Sequence, residues 1–403
     1  MLATSSLREA VASLNEQLVA DRRHFHRHPE LGFQEHETAE YVANRLRSLG
    51  IETRTGVAGT GVVGLIRGSQ PGRTVLLRAD MDALPLHEAT GAEYASKHDG
   101  VHHACGHDGH TAILLAVGRL LQERREALRG TVKLVFQPAE EGPGGAQPMI
   151  DAGVMRDPDV DACFGLHITT NHPLGTLVVQ PGAIQASSDE FDLTVEGVGG
   201  HGAAPQQTVD AVAVGAAIVG ELQRIVSREV DPLEAAVVTV GSFHAGTKHN
   251  IIARTAELHG TIRALTAETR AFLAKRIAEI AAGVAEAARG RCKVVIREGY
   301  PVVVNDERMA AFARGVAETL APAERVITAR PIMGAEDMSY FLNAAPGCFI
   351  FLGARNEAKG FSAPHHSPLF DFDEECLPLG VELLSSLALV YLERGTEEGG
   401  GAV

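Results

Sequence analysis

The stretch Thr131-Val132-Lys133-Leu134-Val135-Phe136-Gln137-Pro138-Ala139-Glu140-Glu141 runs from a strand-like apolar segment into two adjacent carboxylates. Two other stretches are built alike: His167 closes Cys163-Phe164-Gly165-Leu166, and Asp80 and Asp82 follow Val75-Leu76-Leu77. Cys105 and His107 sit in His103-Ala104-Cys105-Gly106-His107-Asp108-Gly109-His110, directly before a helix expected from Thr111. In open α/β sheets, ligands and chemistry collect beyond the carboxyl ends of the strands. A thiolate, imidazoles and carboxylates gathered there suit a Zn-like divalent ion. The pattern points to a metal-dependent hydrolase.

Outward from these strand ends, periodicity fills in an α/β fold. Residues 5–28 read as an amphipathic helix, with Leu7, Val11, Leu14 and Leu18 spaced by three and four. A second helix from Glu37 to Leu49 stops at Gly50. Strands are expected at 61–66, 74–79, 131–136 and 161–166, with a helix at 111–127, which implies a sheet with parallel strands at its centre. Near Phe191 the rhythm becomes β-α-β-β-α-β, with strands at 191–195, 236–241, 255–262 and 292–296 and helices at 209–227 and 268–288. That order is the ferredoxin-like arrangement. The α/β pattern resumes near Asn305 with a helix at 306–320, a strand at 348–352 and a helix at 374–392. The expected organisation is a catalytic domain in two parts, 1–186 and 299–403, with an inserted domain at 187–298. The Glu/Gly-rich tail from Gly395 to Val403 reads as disordered.

Composition narrows the class. A chain of 403 residues exceeds one ordinary core, so two domains are expected. Hydrophobic residues at 45% and charged residues at 22% are ordinary for a soluble globular protein. A formal net charge of -15 argues against a nucleic-acid surface, where a basic stripe is expected, and fits a cytoplasmic protein kept apart by like charge. The N-terminus lacks the basic start and apolar core of a signal peptide, and no uninterrupted apolar run is long enough to span a bilayer. The five cysteines are scattered and odd in number, which fits a reducing compartment. Only Cys105 has histidines around it.

Gly106 and Gly109 give the backbone freedom to aim neighbouring side chains at one point. As a thiolate, Cys105 would bind a borderline-soft metal and lose its proton on doing so; the plain alternative is a His-rich surface loop. His102, His103 and His110 read as supporting or packing residues. Glu140 and Glu141 repel each other unless a cation stands beside them. One can ligate a metal while the other takes a proton from water. Adjacent glutamates are usually just a solvated pair, but the following Gly142-Pro143-Gly144-Gly145, poor in side chains, leaves room for a substrate. For His167 the competing reading is a satisfied core histidine. Asp82 could accept a hydrogen bond from a ligand histidine and fix its tautomer, whereas for Asp80 a salt bridge to Arg78 is at least as good a reading. In Ala363-Pro364-His365-His366-Ser367-Pro368, an extended segment between prolines, one histidine could complete a metal site.

With these pieces together the chain resembles the dinuclear aminoacylase and amidohydrolase superfamily. Within it, the chain is most similar to the branch of hippurate hydrolases, bacterial N-acyl-amino-acid amidohydrolases and plant auxin-conjugate hydrolases. The matching segments are Arg27–Phe33, Arg78–Pro85, His103–His110, Gln137–Gly142, Gly165–His167, Gly197–Pro205, Met333–Phe341 and His366–Phe372. The resemblance implies a zinc-peptidase-like α/β/α catalytic domain with an inserted ferredoxin-like α+β lid that is also the dimerisation surface, hence a homodimer or dimer-based oligomer. It implies two divalent ions per subunit (Zn, Mn, Co or Ni) held by Cys105, His107, Glu141, His167 and His366. Glu140 would be the general base on a metal-bridging water, and Asp82 a carboxylate supporting a ligand. His201, in Gly199-Gly200-His201-Gly202, matches a lid histidine that holds the scissile carbonyl oxygen or the substrate carboxylate. Asn250 and Arg263 lie in lid segments resembling those that contact substrate in relatives. One departure from the wider superfamily is informative: most members carry a histidine ligand where this chain has Asp80 and a bridging Asp where it has Cys105. His107 would stand in for the missing imidazole.

The implied reaction is hydrolysis of the amide in an N-acyl amino acid, a small-molecule substrate, with no nucleic-acid or membrane partner. An aminopeptidase or dipeptidase needing a free α-amine, or a carbamoyl amidohydrolase, would use the same scaffold. A non-catalytic conjugate-binding protein is the distant alternative, disfavoured because Glu140 and all five implied ligands are present. With 5% aromatic residues and no Trp, the sequence leaves the acyl group open.

Overall fold

In the first helix, Thr4–Arg27 (α1), Leu7, Val11, Leu14, Leu18 and Phe25 line one face and are buried in a core shared with the sheet. The three- and four-residue spacing that predicts the helix is thus also what seats it. The computed structural model that supplies this architecture describes residues 4–142 and 144–394. The tail from Gly395, expected to be disordered, lies outside them, as does Pro143.

The chain forms two compact units. The first takes the described residues up to Gly182, Val304–Ala329 and those from Tyr340 onward; the second takes Ala183–Val303 and Arg330–Ser339.

In the first unit, strands Glu52–Val57 (β1), Gly61–Arg67 (β2), Gln70–Asp80 (β3), Arg129–Gln137 (β4) and Ala162–Pro173 (β5) lie in the order β1-β2-β4-β3-β5. The sheet continues through Gly347–Arg355, Leu177–Val178 and Val326–Ile327, making eight strands. β3 runs parallel to both β4 and β5, and β5 parallel to Gly347–Arg355, so the centre is parallel as the alternation of strands and helices requires. β1 and β2 close one side as antiparallel strands. Helices His36–Ser48 (α2) and His107–Glu123 (α3) pack on this sheet together with Leu377–Arg394. The stretch Glu374–Arg394 is long and apolar enough to cross a membrane, which the sequence reading did not anticipate. Its most apolar 18-residue window is 72% buried, and the stretch serves as a core helix.

Three local expectations need correction. β1 went unpredicted because its Glu52-Thr53-Arg54-Thr55 face is polar and mostly exposed, as befits an edge strand. α3 begins at His107 and not Thr111, because Gly106 in a left-handed conformation (φ 93°) turns the chain into the helix one turn sooner. β5 does not end at His167 but runs on to Pro173, since its pairing with the neighbouring strand continues through Phe351↔His167 and Gly353↔Thr169.

In the second unit, strands Asp189–Glu196, Ala236–Ala245, Thr255–Ala264 and Arg291–Arg297 form one antiparallel sheet, in the spatial order fourth, first, third, second. Helices Ala211–Arg224 and Ala267–Ala287 bury Val214, Ile218, Leu222, Leu273, Ile277 and Ala281 in its core. Asp210 and Thr266 cap them by accepting from Ala213 N and Thr269 N respectively. This is the ferredoxin-like pattern.

Candidate metal centre

Because β3 and β4 are parallel neighbours with Asp80 in register with Gln137, the segments that leave them emerge side by side. One carries Asp82 and the other Glu140 and Glu141. His107 opens α3 next to them, and Gly106 sets the angle at which Cys105 and His107 diverge. His167 comes from within β5. His366 arrives on a turn, not on the extended segment expected: its φ is 61°, and its N–H donates to Ala104 O at 2.8 Å, which pins it to the Cys105 loop.

All five implied ligands are thereby brought together. Cys105 Sγ lies 3.5 Å from His167 Nε2, and His366 Nε2 lies 3.2 Å from Glu141 Oε1. Two groups of possible ligand atoms share Cys105: Cys105, His107 and His167, and Cys105, Glu141 and His366, with the atoms of each group within 4.8 Å of one another. An oxygen of Glu140 lies in a third group with His107 and Glu141. Each group matches the donor set of a borderline divalent ion.

The supporting contacts fix these atoms. His107 Nδ1 is 2.9 Å from Asp82 O and 3.2 Å from Asp82 Oδ1, so this nitrogen donates and Nε2 is the one that takes a proton or a metal. That Nε2 is buried, has no hydrogen-bond partner among the described residues, and faces Asp80 Oδ2 at 3.7 Å and Glu141 Oε1 at 3.9 Å. A lone pair aimed at carboxylate oxygens is tolerable only with a proton or a cation between them. This arrangement therefore fits a metal. Asp82 also accepts from Glu141 N at 2.9 Å through Oδ2, so one carboxylate orients residues on both segments. Asp80 is held by Arg78 Nη1 at 2.7 Å and by His110 Nδ1 at 2.6 Å, the salt-bridge reading of the sequence.

The titration behaviour points the same way. Burial works against the His107 imidazolium, but Asp80, Asp82 and Glu141 outweigh it and push its pKa up to about 10. Burial, then the Glu141 and Glu140 carboxylates, holds the Cys105 thiol well above its ordinary range. His167 is kept neutral by burial and by His110 and His365. Burial opposes ionisation of Asp80, yet His107, Arg78 and His110 keep it charged. The site thus concentrates negative charge around a buried imidazole and thiol, where a divalent cation would displace their protons.

A family model for peptidase family M20/M25/M40 matches residues 76–390, which include every residue of this centre. The chain belongs to peptidase family M20/M25/M40. As a family of peptidases, M20 makes the chain a hydrolase of amide bonds. Among its relatives, the thermostable carboxypeptidase 2 of Saccharolobus solfataricus is 42% identical over 389 residues, covering 96% of this chain and 98% of that protein. An IAA-amino acid hydrolase of Arabidopsis thaliana is 40% identical over 381 residues, 93% of this chain and 86% of that protein. A crystal structure described as a dinuclear metal-binding peptidase of the M20 family from Bacillus subtilis superposes with a TM-score of 0.84 at 33% identity, covering 95% of this chain and 99% of that one.

The remaining predicted residues of this M20 chain belong to the second unit. His201 is exposed, on a short strand whose register pairs it with Ile251; Gly202 N donates to Asn250 O at 2.9 Å, so His201 and Asn250 are neighbours there. Arg263, half-buried, donates to Ser188 Oγ. Two sets of residues escaped the sequence reading. Asp108 does not join the metal-ligand group: it accepts from Arg22 Nε at 2.8 Å and from His26 Nδ1 at 2.7 Å, tying the start of α3 to α1. Beside it, His26 Nε2 lies 3.3 Å from Glu88 Oε1. Arg22 and His26 recur at helical spacing on α1, and that polar break in an otherwise apolar face was the available signal. Glu35 is the other omission.

Proposed function

We propose that this chain is a dinuclear metal amidohydrolase that cleaves N-acyl amino acids to a carboxylic acid and a free amino acid. The observation that carries this reading is the pair of ligand groups sharing Cys105, with an oxygen of Glu140 beside two of their members. Cys105, His107 and His167 would hold one ion, and Cys105, Glu141 and His366 the other. Bound there, two divalent ions would acidify a water and polarise the acyl oxygen. Zn, Mn, Co and Ni all suit such a mixed thiolate, imidazole and carboxylate set.

In this reading Glu140 takes one proton from the attacking water as its oxygen bonds to the acyl carbon. Glu140 then delivers that proton to the amide nitrogen as the C–N bond breaks, so that the amine leaves neutral. Asp82 keeps the His107 ring and the Glu141 backbone in place throughout. On the second unit, His201 would steady the carbonyl oxygen, while Asn250 and Arg263 would contact the substrate, Arg263 by pairing with its carboxylate.

The relatives support the substrate class. A carboxypeptidase and an IAA-amino acid hydrolase both cut an amide whose nitrogen belongs to a residue with a free α-carboxylate. We further propose a dimer assembled through the ferredoxin-like unit, whose strands Ala236–Ala245 and Arg291–Arg297 form the two edges of its sheet. A reducing, cytoplasmic setting accords with five cysteines that are all free.

Hydrolysis of N-acetyl, N-benzoyl and longer N-acyl amino acids, unblocked dipeptides and N-carbamoyl amino acids by metal-reconstituted enzyme tests the proposal. N-acyl amino acids are expected to exceed the others in kcat/KM by about 100-fold or more. A preference for free-amine dipeptides or for carbamoyl compounds would instead assign the chain to those chemistries. Binding without turnover of any of them would make it a binding protein.

A further inference from the structure

Glu35 occupies the N-cap position of α2 but its side chain does not cap the helix. That task is done from a distance by Glu30, whose Oε1 and Oε2 accept from Glu37 N at 3.1 Å and Thr38 N at 2.8 Å. The Glu35 side chain turns inward instead and is fully buried. Its Oε1 accepts from Ala139 N at 2.8 Å and its Oε2 from Thr60 Oγ1 at 2.5 Å.

Ala139 directly precedes Glu140 and is held in the left-handed conformation, φ 56°, which a side-chain-bearing residue rarely adopts. It is completely buried, and Gly32 packs so closely that a Cβ there would come within 3.0 Å of Ala139 Cα and Cβ. The turn that carries Gly32 and Glu35 is itself fixed to the other side of the centre, because Ala83 N donates to Glu30 O at 2.8 Å, one residue beyond Asp82. The Glu30–Glu35 turn therefore lies behind both segments that present the candidate centre.

We propose that Glu35 is a positioning residue for hydrolysis: by accepting the Ala139 N–H it holds Ala139 in its left-handed turn and thereby aims the Glu140 carboxylate. The inference rests on the reading of Glu140 as the general base. What Glu35 supplies is a hydrogen-bond acceptor in a fixed place. Gln supplies one too, with Thr60 turning its hydroxyl to accept from the new amide; Met has similar bulk and supplies none.

Steady-state kinetics and metal content of Glu35→Met, Glu35→Gln, Ala139→Gly and the double variants test it. Glu35→Met is expected to lower kcat by about 10- to 100-fold with KM changed less than about threefold and two ions retained, as a misaimed base requires. Glu35→Gln is expected to stay within about threefold of wild type. Adding Ala139→Gly to Glu35→Met should restore several-fold of the lost kcat, because glycine adopts the left-handed turn without support. In a Glu140→Gln background, Glu35→Met should have no further effect, as expected when one residue acts through the other. Unchanged kcat in Glu35→Met, or a loss that tracks the folded and metal-loaded fraction and persists at full size in the Glu140→Gln background, would overturn the assignment. An active Glu140→Gln enzyme overturns the base reading itself, and so separates the two failures.

Discussion

His107 donates through Nδ1 to the Asp82 carbonyl oxygen at 2.9 Å and meets the Asp82 carboxylate at 3.2 Å, leaving its buried Nε2 to face Asp80 and Glu141. Asp82 also receives the Glu141 N–H, so a single carboxylate orients two members of the candidate centre. Removing it should loosen both. Asp82→Ala is expected to weaken metal affinity by about 10- to 100-fold, as loss of a carboxylate behind a ligand histidine does. Competition against a chelator measures this; wild-type affinity would mean that the Asp82 contacts do not govern metal binding.

Cys105 belongs to both ligand groups, which gives its substitution a larger effect than that of any ligand used once. Cys105→Ala is expected to hold fewer than two tightly bound ions per chain and to lose most activity. Elemental analysis after desalting decides this. Two retained ions would remove Cys105 from the ligand set.

Metal uptake should be proton-linked. Burial raises the Cys105 thiol well above its ordinary range, with Glu141 and Glu140 adding to it, and the carboxylates around His107 bring that ring to about 10 despite its burial. Both groups are therefore protonated in the metal-free protein at neutral pH and must release protons to bind. Apparent metal affinity should rise with pH by about tenfold per unit for each proton released. Titration calorimetry in buffers of different ionisation enthalpy counts those protons; affinity that is flat between about pH 6 and 8 would contradict the linkage.

The fold was legible in the sequence to the extent that burial wrote it. The helices and central strands carry apolar periodicity, and the β-α-β-β-α-β rhythm predicts the second unit's antiparallel sheet. The misses share a cause, which is that tertiary context overrode a local signal. β1 is a polar edge strand held by pairing with β2; β5 extends past His167 because its neighbour continues; α3 starts early because Gly106 alone can take the turn that precedes it. In the candidate centre, residue types and their place after strands pointed to Cys105, His107, Glu140, Glu141 and His167. Which of His365 and His366 joins them came from the resemblance, since adjacent identical residues carry no local distinction. Glu35, and the tie of Asp108 to α1, stayed invisible because their partners, Ala139 and Arg22, are distant in sequence.

The network that ties α1 to α3 should give the fold an acid-sensitive component. Burial opposes ionisation of Glu88, but His26, the Ser96 N–H and the Thr90 hydroxyl hold its pKa down to about 2 from an ordinary 4.5. A depressed carboxylate contributes stability that is complete above 4.5 and is lost as pH falls toward 2. His26 is raised, against burial and Arg22, by Asp108 and Glu88; its contribution is complete below the ordinary histidine value and fades as pH rises through the raised one. Glu88→Gln should therefore lower Tm near neutral pH and flatten the fall in Tm between about pH 5 and 3. An unchanged acid limb in Glu88→Gln would place that sensitivity elsewhere.

The most direct measurement of the central claim is turnover of an N-acyl amino acid by Glu140→Gln, with metal counted on the same sample. If Glu140 is the base beside a two-metal centre, that enzyme binds two ions per chain as the wild type does, while kcat falls by about 10²- to 10⁴-fold. Near-wild-type turnover at full metal content would contradict the account.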